Sequence, residues 1–163
     1  MSMIGNYLQL SAEQLEAIID EPAEAENLAY PESEDFPSNA LDIDKSWHLI
    51  HFLLAGEAWG GDGPLANVVL GGLELTGTDA GYGPFRYLTP AQVREASQAL
   101  AGVSAQELWA RFDATQVEAA EIYPTQWRGD DEEREYVSQN YDSLRRYFAE
   151  AATSGRAMLL YLS

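Results

Sequence analysis

The sequence predicts an α+β fold in which helices dominate and a small sheet pairs the N- and C-terminal strands. Residues 3–10 (MIGNYLQL) are short, apolar and partly alternating, which is typical of a strand. Residues 157–162 (AMLLYL) form an uninterrupted apolar run, which is typical of a buried strand. Because an isolated strand would leave backbone N–H and C=O groups unpaired, we expect these two strands to be neighbours in one sheet.

Capping patterns mark the helices between the two strands. A Ser or Thr followed three residues later by Gln or Glu predicts a helix start, because the two side chains satisfy each other's free backbone N–H groups. The pattern occurs at Ser11 with Gln14, at Thr89 with Gln92 and at Ser104 with Glu107. Apolar residues at helical spacing also predict a long last helix from about Asp131 to Thr153.

Residues 41–56 (LDIDKSWHLIHFLLAG) predict the central helix of the domain. Asp44 is the expected N-cap and Gly56 the expected C-terminal stop. The residues between them leave almost no polar face, and such a helix belongs in the interior.

Residues 22–40 contain Pro22, Pro31 and Pro37 among acidic residues, which predicts a loop. The segment before this loop is too small to fold alone, so the loop is not a linker between domains. A chain of 163 residues is long enough for one sizeable core, and we expect a single domain over residues 1–163.

The charge of the chain is strongly acidic, with 27 acidic against 9 basic residues and a formal net charge of −18. Eleven acidic residues precede Lys45, which is the first basic residue. Such a balance opposes binding to nucleic acids and anionic membranes, and it favours encounter with a basic protein. The candidate interface acids are Glu24, Glu26, Glu32, Glu34 and Asp35. The alternative is a solvated surface that only keeps the protein soluble.

The compartment is expected to be the cytoplasm. The chain has no cysteine, so it has neither a disulfide nor a thiol nucleophile. Its start lacks a basic segment followed by an apolar run, and no stretch reaches the ~18 apolar residues of a membrane span.

Four residues near the central helix are the best candidates for chemistry: Asp42, Asp44, His48 and His51. On a helix, Asp44, His48 and His51 share one face. Imidazoles and carboxylates together can bind a divalent metal ion, or an Asp-oriented His can act as a general base. The structural alternative is that Asp44 caps the helix, that His48 lies in its polar first turn and that His51 is a neutral core histidine bonded to backbone.

Other catalytic signals are absent from the sequence, which contains no GxSxG, Walker or GxGxxG motif. We therefore expect no cofactor. Trp59 in a Gly-flanked loop and Trp127 just after Tyr123–Pro124 are the aromatic residues that can line a pocket or an interface.

Several segments together resemble the YfbM-like family of small bacterial proteins. They are MSMIGNY, LDIDKSWHLIHFLLAG, PLANVVLGG, GYGPFRYLT, EIYP and the last helix with its apolar strand. The resemblance runs over essentially the whole chain and implies an α+β domain in a bacterial cytoplasm. It implies no reaction, since the family is one of unknown function.

Two hypotheses about function follow. The first is a non-enzymatic protein-interaction module that holds a basic partner, with a bacterial immunity-type inhibitor as its concrete form. The second is a small-ligand-binding or metal-dependent enzyme that uses Asp42, Asp44, His48 and His51. The absence of a specific catalytic motif favours the first hypothesis.

Overall fold

The first and last strands lie side by side in an antiparallel sheet of five strands. The computed structural model describes residues 2–32, 37 and 39–163. The strand order is β2-β1-β5-β4-β3. In the register of the central pair, Gly5 faces Leu162 and Leu10 faces Ala157, so the predicted pairing of the terminal strands is confirmed. The strands are β1 (Gly5–Leu10), β2 (Ala40–Asp42), β3 (Leu73–Glu74), β4 (Arg86–Leu88) and β5 (Ala157–Leu162).

Helices form about half of the described residues, and the predicted α+β fold is confirmed. Capping boxes begin α1 at Ser11, α5 at Thr89 and α8 at Asp130. The helices within the described residues are α1 (Ala12–Asp20), α2 (Glu24–Ala29), α3 (Trp47–Ala55), α4 (Pro64–Leu70), α5 (Pro90–Ala101), α6 (Ala105–Trp109), α7 (Ala114–Ala119) and α8 (Asp131–Thr153).

The sheet is covered on both faces, which explains the uninterrupted apolar sequence of β5. Met158 and Leu160 belong to the larger core, which they share with side chains of α3, α5 and α8. Leu159 and Tyr161 belong to a smaller core on the other face, which contains side chains of α1 and α2. The central helix α3 is almost fully buried in the larger core, as its sequence predicts.

The predicted loop over residues 22–40 is wrong in part, because α2 occupies Glu24–Ala29. Its buried side chains are only Ala25 and Ala29, which close the smaller core. Two small residues four apart give a weak periodic signal, and the prolines around them conceal it. Helix α2, with its acidic sequence, therefore also helps to cover one face of the sheet.

The predicted N-cap at Asp44 is also wrong. Residues Asp44–Ser46 form a 3₁₀ turn, and α3 begins at Trp47 without a side-chain cap. Asp44 has a φ of 54° and donates its backbone N–H to Oδ1 of Asp42 at 2.6 Å. An N-cap needs an extended backbone, and the left-handed conformation of Asp44 prevents this role.

No helix within the described ranges is long and apolar enough to cross a membrane.

Candidate functional site

The tryptophan loop, residues 56–63 (GEAWGGDG), connects α3 to α4. Gly56 ends α3 in the left-handed region with a φ of 79°, and its N–H donates to the carbonyl of Phe52. Gly61 has a φ of 119°, and a Cβ there would come within 3.2 Å of Ala55 and Ala66. The loop therefore passes close to both helix ends, where only glycine fits without strain.

Two buried histidines of α3 form hydrogen bonds to the backbone of this loop. The Nε2 atom of His48 lies 2.9 Å from the carbonyl oxygen of Ala58, and Nε2 of His51 lies 2.8 Å from that of Gly60. Because the two residues are three apart, they lie on one face of α3. Each carbonyl adjoins Trp59 in the chain, so the backbone is fixed on both sides of that tryptophan.

Trp59 itself is 63% exposed, the largest exposure among the large hydrophobic side chains within the described residues. Its ring centroid lies 4.5 Å from that of His48 and 6.1 Å from that of Trp47. Trp47 is fully buried and stacks on His48 at 4.8 Å. The exposed indole therefore packs on the buried rings of His48 and Trp47. Together with Tyr123 these residues form what we call the aromatic cluster (Trp47, His48, Trp59 and Tyr123).

Tyr123 connects the cluster to Trp127. Its ring stacks on Trp47 at 5.6 Å, and its backbone N–H donates to Nδ1 of His48 at 2.8 Å. The indole N–H of Trp127 donates to the carbonyl oxygen of Tyr123 at 3.1 Å. The two loop tryptophans, 68 positions apart in the sequence, are therefore joined through Tyr123 and His48.

Both histidines are held neutral. Burial lowers the pKa of His48, against a smaller rise from its bond to the Ala58 carbonyl. The pKa of His51 is lowered to about 4, chiefly by burial and also by the nearby His48 and the Arg86 guanidinium, against a rise from its bond to the Gly60 carbonyl. Within the described residues, Nδ1 of His51 has no hydrogen-bond partner. The neutral imidazole of His51, bonded to a backbone carbonyl, fits the structural alternative of the sequence analysis. The expected polar position of His48 is wrong, because its side chain is buried beneath the tryptophan loop.

The candidate metal-binding residues are used in separate contacts. The exposed Asp42 carboxylate accepts a hydrogen bond from the backbone N–H of Asp44. The Asp44 carboxylate lies beside Tyr136, whose pKa is raised to about 12, first by burial and then by this carboxylate. His48 and His51 instead contact the tryptophan loop. No three His, Asp or Glu side chains within the described ranges form a group that could hold a metal ion. A metal-dependent reaction at these four residues stays a prediction.

Two of the acidic candidates, Glu24 and Glu26, lie on the other face of the sheet from Trp59. Glu24 and Glu26 belong to α2, which packs on the smaller core, whereas α3 and the tryptophan loop adjoin the larger one. Glu26 and Glu32 are exposed. Glu34 and Asp35 lie outside the described residues. The ion pairs within the described ranges are Arg128–Asp130, Arg134–Asp131 and Arg145–Asp142. None of these pairs includes Glu24, Glu26 or Glu32.

Glu57 and Asp62 were missed by the sequence analysis, and so was the role of Tyr123. Both carboxylates are exposed and lie in the tryptophan loop on either side of Trp59. Their position on either side of Trp59 in the glycine-rich sequence GEAWGGDG was a sufficient signal that they belong to the same exposed loop. The contact of Tyr123 with His48 joins residues 75 apart, and no local pattern indicates it.

The fold and this site define a class: an α+β domain that presents an exposed tryptophan loop on the buried side chains of Trp47 and His48. The chain belongs to the family described as "Domain of unknown function (DUF1877)", which it matches over residues 1–161. No curated protein matches it significantly. A similar solved structure is that of YfbM from Escherichia coli, a protein of unknown function, with 19% identity, a TM-score of 0.77, and coverage of 98% of this chain and 99% of that one.

Proposed function

We propose that the chain is a protein-interaction module that binds a basic protein through the tryptophan loop. The observation that carries the proposal is the 63% exposure of Trp59 in a loop whose flanking carbonyls are bonded to buried histidines. A large exposed aromatic side chain loses little conformational entropy on binding when its backbone is already fixed. Tryptophan is also among the residues most enriched at the centres of interfaces.

The surroundings of Trp59 favour a cationic contact. Glu57 and Asp62 are exposed in the same loop, and the formal charge of the whole chain is −18. An indole face attracts a Lys or Arg cation, and adjacent carboxylates add charge-assisted hydrogen bonds. The overall charge speeds the encounter with a basic partner, and the exposed acids of residues 20–32 contribute to this steering from the opposite face of the sheet.

An immunity-type inhibitor is the concrete form of this function. Such a protein acts by occupying its target, so it needs a preformed binding surface and no catalytic group. The same anchor and charge would serve a different regulatory complex with a basic protein. The partner's own activity, measured with and without this chain, separates inhibition from simple association.

The test is capture of a partner from the native lysate by the immobilised chain, by Trp59→Ala and by Leu73→Ala. Leu73 is 56% exposed and lies on edge strand β3, so it controls for loss of an exposed apolar side chain. We expect a basic protein to be retained at low salt by the parent and by Leu73→Ala, and to be lost with Trp59→Ala and at high salt. Equal retention by all three proteins would contradict the proposal.

A further inference from the structure

A cavity of about 460 Å³ lies between α7 and the turn of residues 121–127. Its volume is within the range of about 300–1,000 Å³ that is usual for small-ligand sites. Buried Val117 and Ile122 give it an apolar part, and exposed Glu118 and Glu121 give it negative charge. The half-buried indole of Trp127 completes the lining on the side of the aromatic cluster.

The residues that line the cavity include two carboxylates and no basic residue that could balance their negative charge. Glu118 and Glu121 take part in none of the ion pairs within the described ranges. Two carboxylates beside an indole and apolar side chains repel an anion and attract a cation that also has an apolar stem.

The geometry of the cavity is held by hydrogen bonds. The indole N–H of Trp127 donates to the Tyr123 carbonyl at 3.1 Å, and the N–H of Thr125 donates to the Ile122 carbonyl at 2.8 Å. Glu121, Thr125 and Gln126 have φ values of 54°, 82° and 65°. Residues other than glycine rarely adopt this left-handed backbone region, and β-branched residues such as Thr125 adopt it least. The surrounding contacts must therefore fix the turn in this conformation.

We propose that this cavity binds the guanidinium group of an arginine side chain of the basic partner. The inference rests on the proposed function and extends it by naming a second contact, linked to Trp59 through Tyr123 and His48. Arginine fits better than lysine because its planar guanidinium forms two parallel hydrogen bonds to a carboxylate and also stacks on aromatic rings. Its apolar stem would pack on Val117 and Ile122.

The experiment titrates the protein with N-acetyl-arginine amide and follows the four indole N–H signals by NMR, assigned by single Trp→Phe variants. The matched ligand control is N-acetyl-citrulline amide, which has nearly the same shape and no charge. The protein variant is Glu118→Gln with Glu121→Gln. Its control is Glu132→Gln with Glu135→Gln, an exposed pair on α8 with the same spacing and the same change in charge.

We expect a saturable shift of the Trp127 signal with the arginine ligand and none with citrulline. The Glu118/Glu121 variant should bind about five- to tenfold more weakly, and the Glu132/Glu135 variant as tightly as the parent. Equal shifts with citrulline, a stronger response to the corresponding lysine amide, or unchanged affinity of the Glu118/Glu121 variant would overturn the inference.

The outcome is distinguishable from failure of the proposed function. Trp59-dependent capture of a basic protein without arginine binding in the cavity would overturn this inference alone. Arginine binding in the cavity without Trp59-dependent capture would overturn the proposed function and leave the ligand class of the cavity supported.

Discussion

The backbone N–H of Tyr123 donates a hydrogen bond to Nδ1 of His48 across 75 positions of sequence. Since Nδ1 is the acceptor, the ring proton lies on Nε2, which donates to the carbonyl of Ala58. One neutral imidazole therefore joins the turn that carries Trp127 to the loop that carries Trp59. A protonated ring would present a second N–H to the N–H of Tyr123 and break this connection.

Replacing this imidazole should weaken the fold substantially. We expect His48→Ala to lower the free energy of unfolding by about 2–4 kcal/mol, because it leaves a cavity and removes the partners of two backbone groups. Urea unfolding measures the loss, and hydrogen exchange should show the Tyr123 amide losing protection. Asn27→Ala, at an exposed position of α2, is the control and should change stability by less than about 0.5 kcal/mol. A loss below about 1 kcal/mol for His48→Ala would contradict this role.

Acid should destabilise the protein through His51. Its pKa is about 4 in the folded protein and about 6.5 in the unfolded chain, so the unfolded state binds the proton more tightly. Its contribution to stability is complete above pH 6.5 and falls as the pH drops toward 4, by about 2 kcal/mol between pH 7 and pH 5. His51→Leu should lack this component, while changes from the carboxylates remain in both proteins. Parallel stability–pH curves for parent and variant would show that His51 titrates normally.

The acidic N-terminal segment should contribute to association and little to folding. The variant carries Gln or Asn in place of Glu24, Glu26, Glu32, Glu34 and Asp35. Its free energy of unfolding should stay within about 0.5 kcal/mol of the parent, since lost contacts at the start of α2 are offset by reduced repulsion.

Association of this variant with the basic partner should be slower, and the rate should depend less on salt. Stopped-flow mixing at several salt concentrations measures both effects. Association that is as fast as the parent's at low salt would mean that these acidic residues are only solvated and do not steer the partner to the binding surface.

The elements that the sequence predicts well depend on local interactions. Ser11 with Gln14 and Thr89 with Gln92 are capping boxes in the structure, because each is formed within one turn of backbone. The pairing of β1 with β5 was predictable for a different reason, since each of these short apolar strands would leave its backbone N–H and C=O groups unpaired if it stood alone. Strands β3 and β4 have only two and three residues, too few for an alternating pattern to show.

The candidate site was predictable only in its parts. Trp59, Trp127 and His51 each had a local signal: a glycine-flanked loop, a position after Tyr123–Pro124, and a helix without a polar face. Their arrangement depends on contacts between distant segments, which local patterns do not encode. Asp44 failed as an N-cap for a related reason, because its backbone conformation is fixed by a turn that also contacts Tyr136 of α8.

The central claim is that Trp59 is the anchor for a basic protein, and the most direct measurement is the affinity of the captured partner for three purified proteins. These are the parent, Trp59→Ala and Leu73→Ala, compared by calorimetry after thermal unfolding has shown that all three are folded. We expect Trp59→Ala to weaken binding about 30-fold or more, the size of an interface hot spot, and Leu73→Ala to change it less than about threefold. Affinities for the parent and Trp59→Ala that agree within about twofold would contradict the claim.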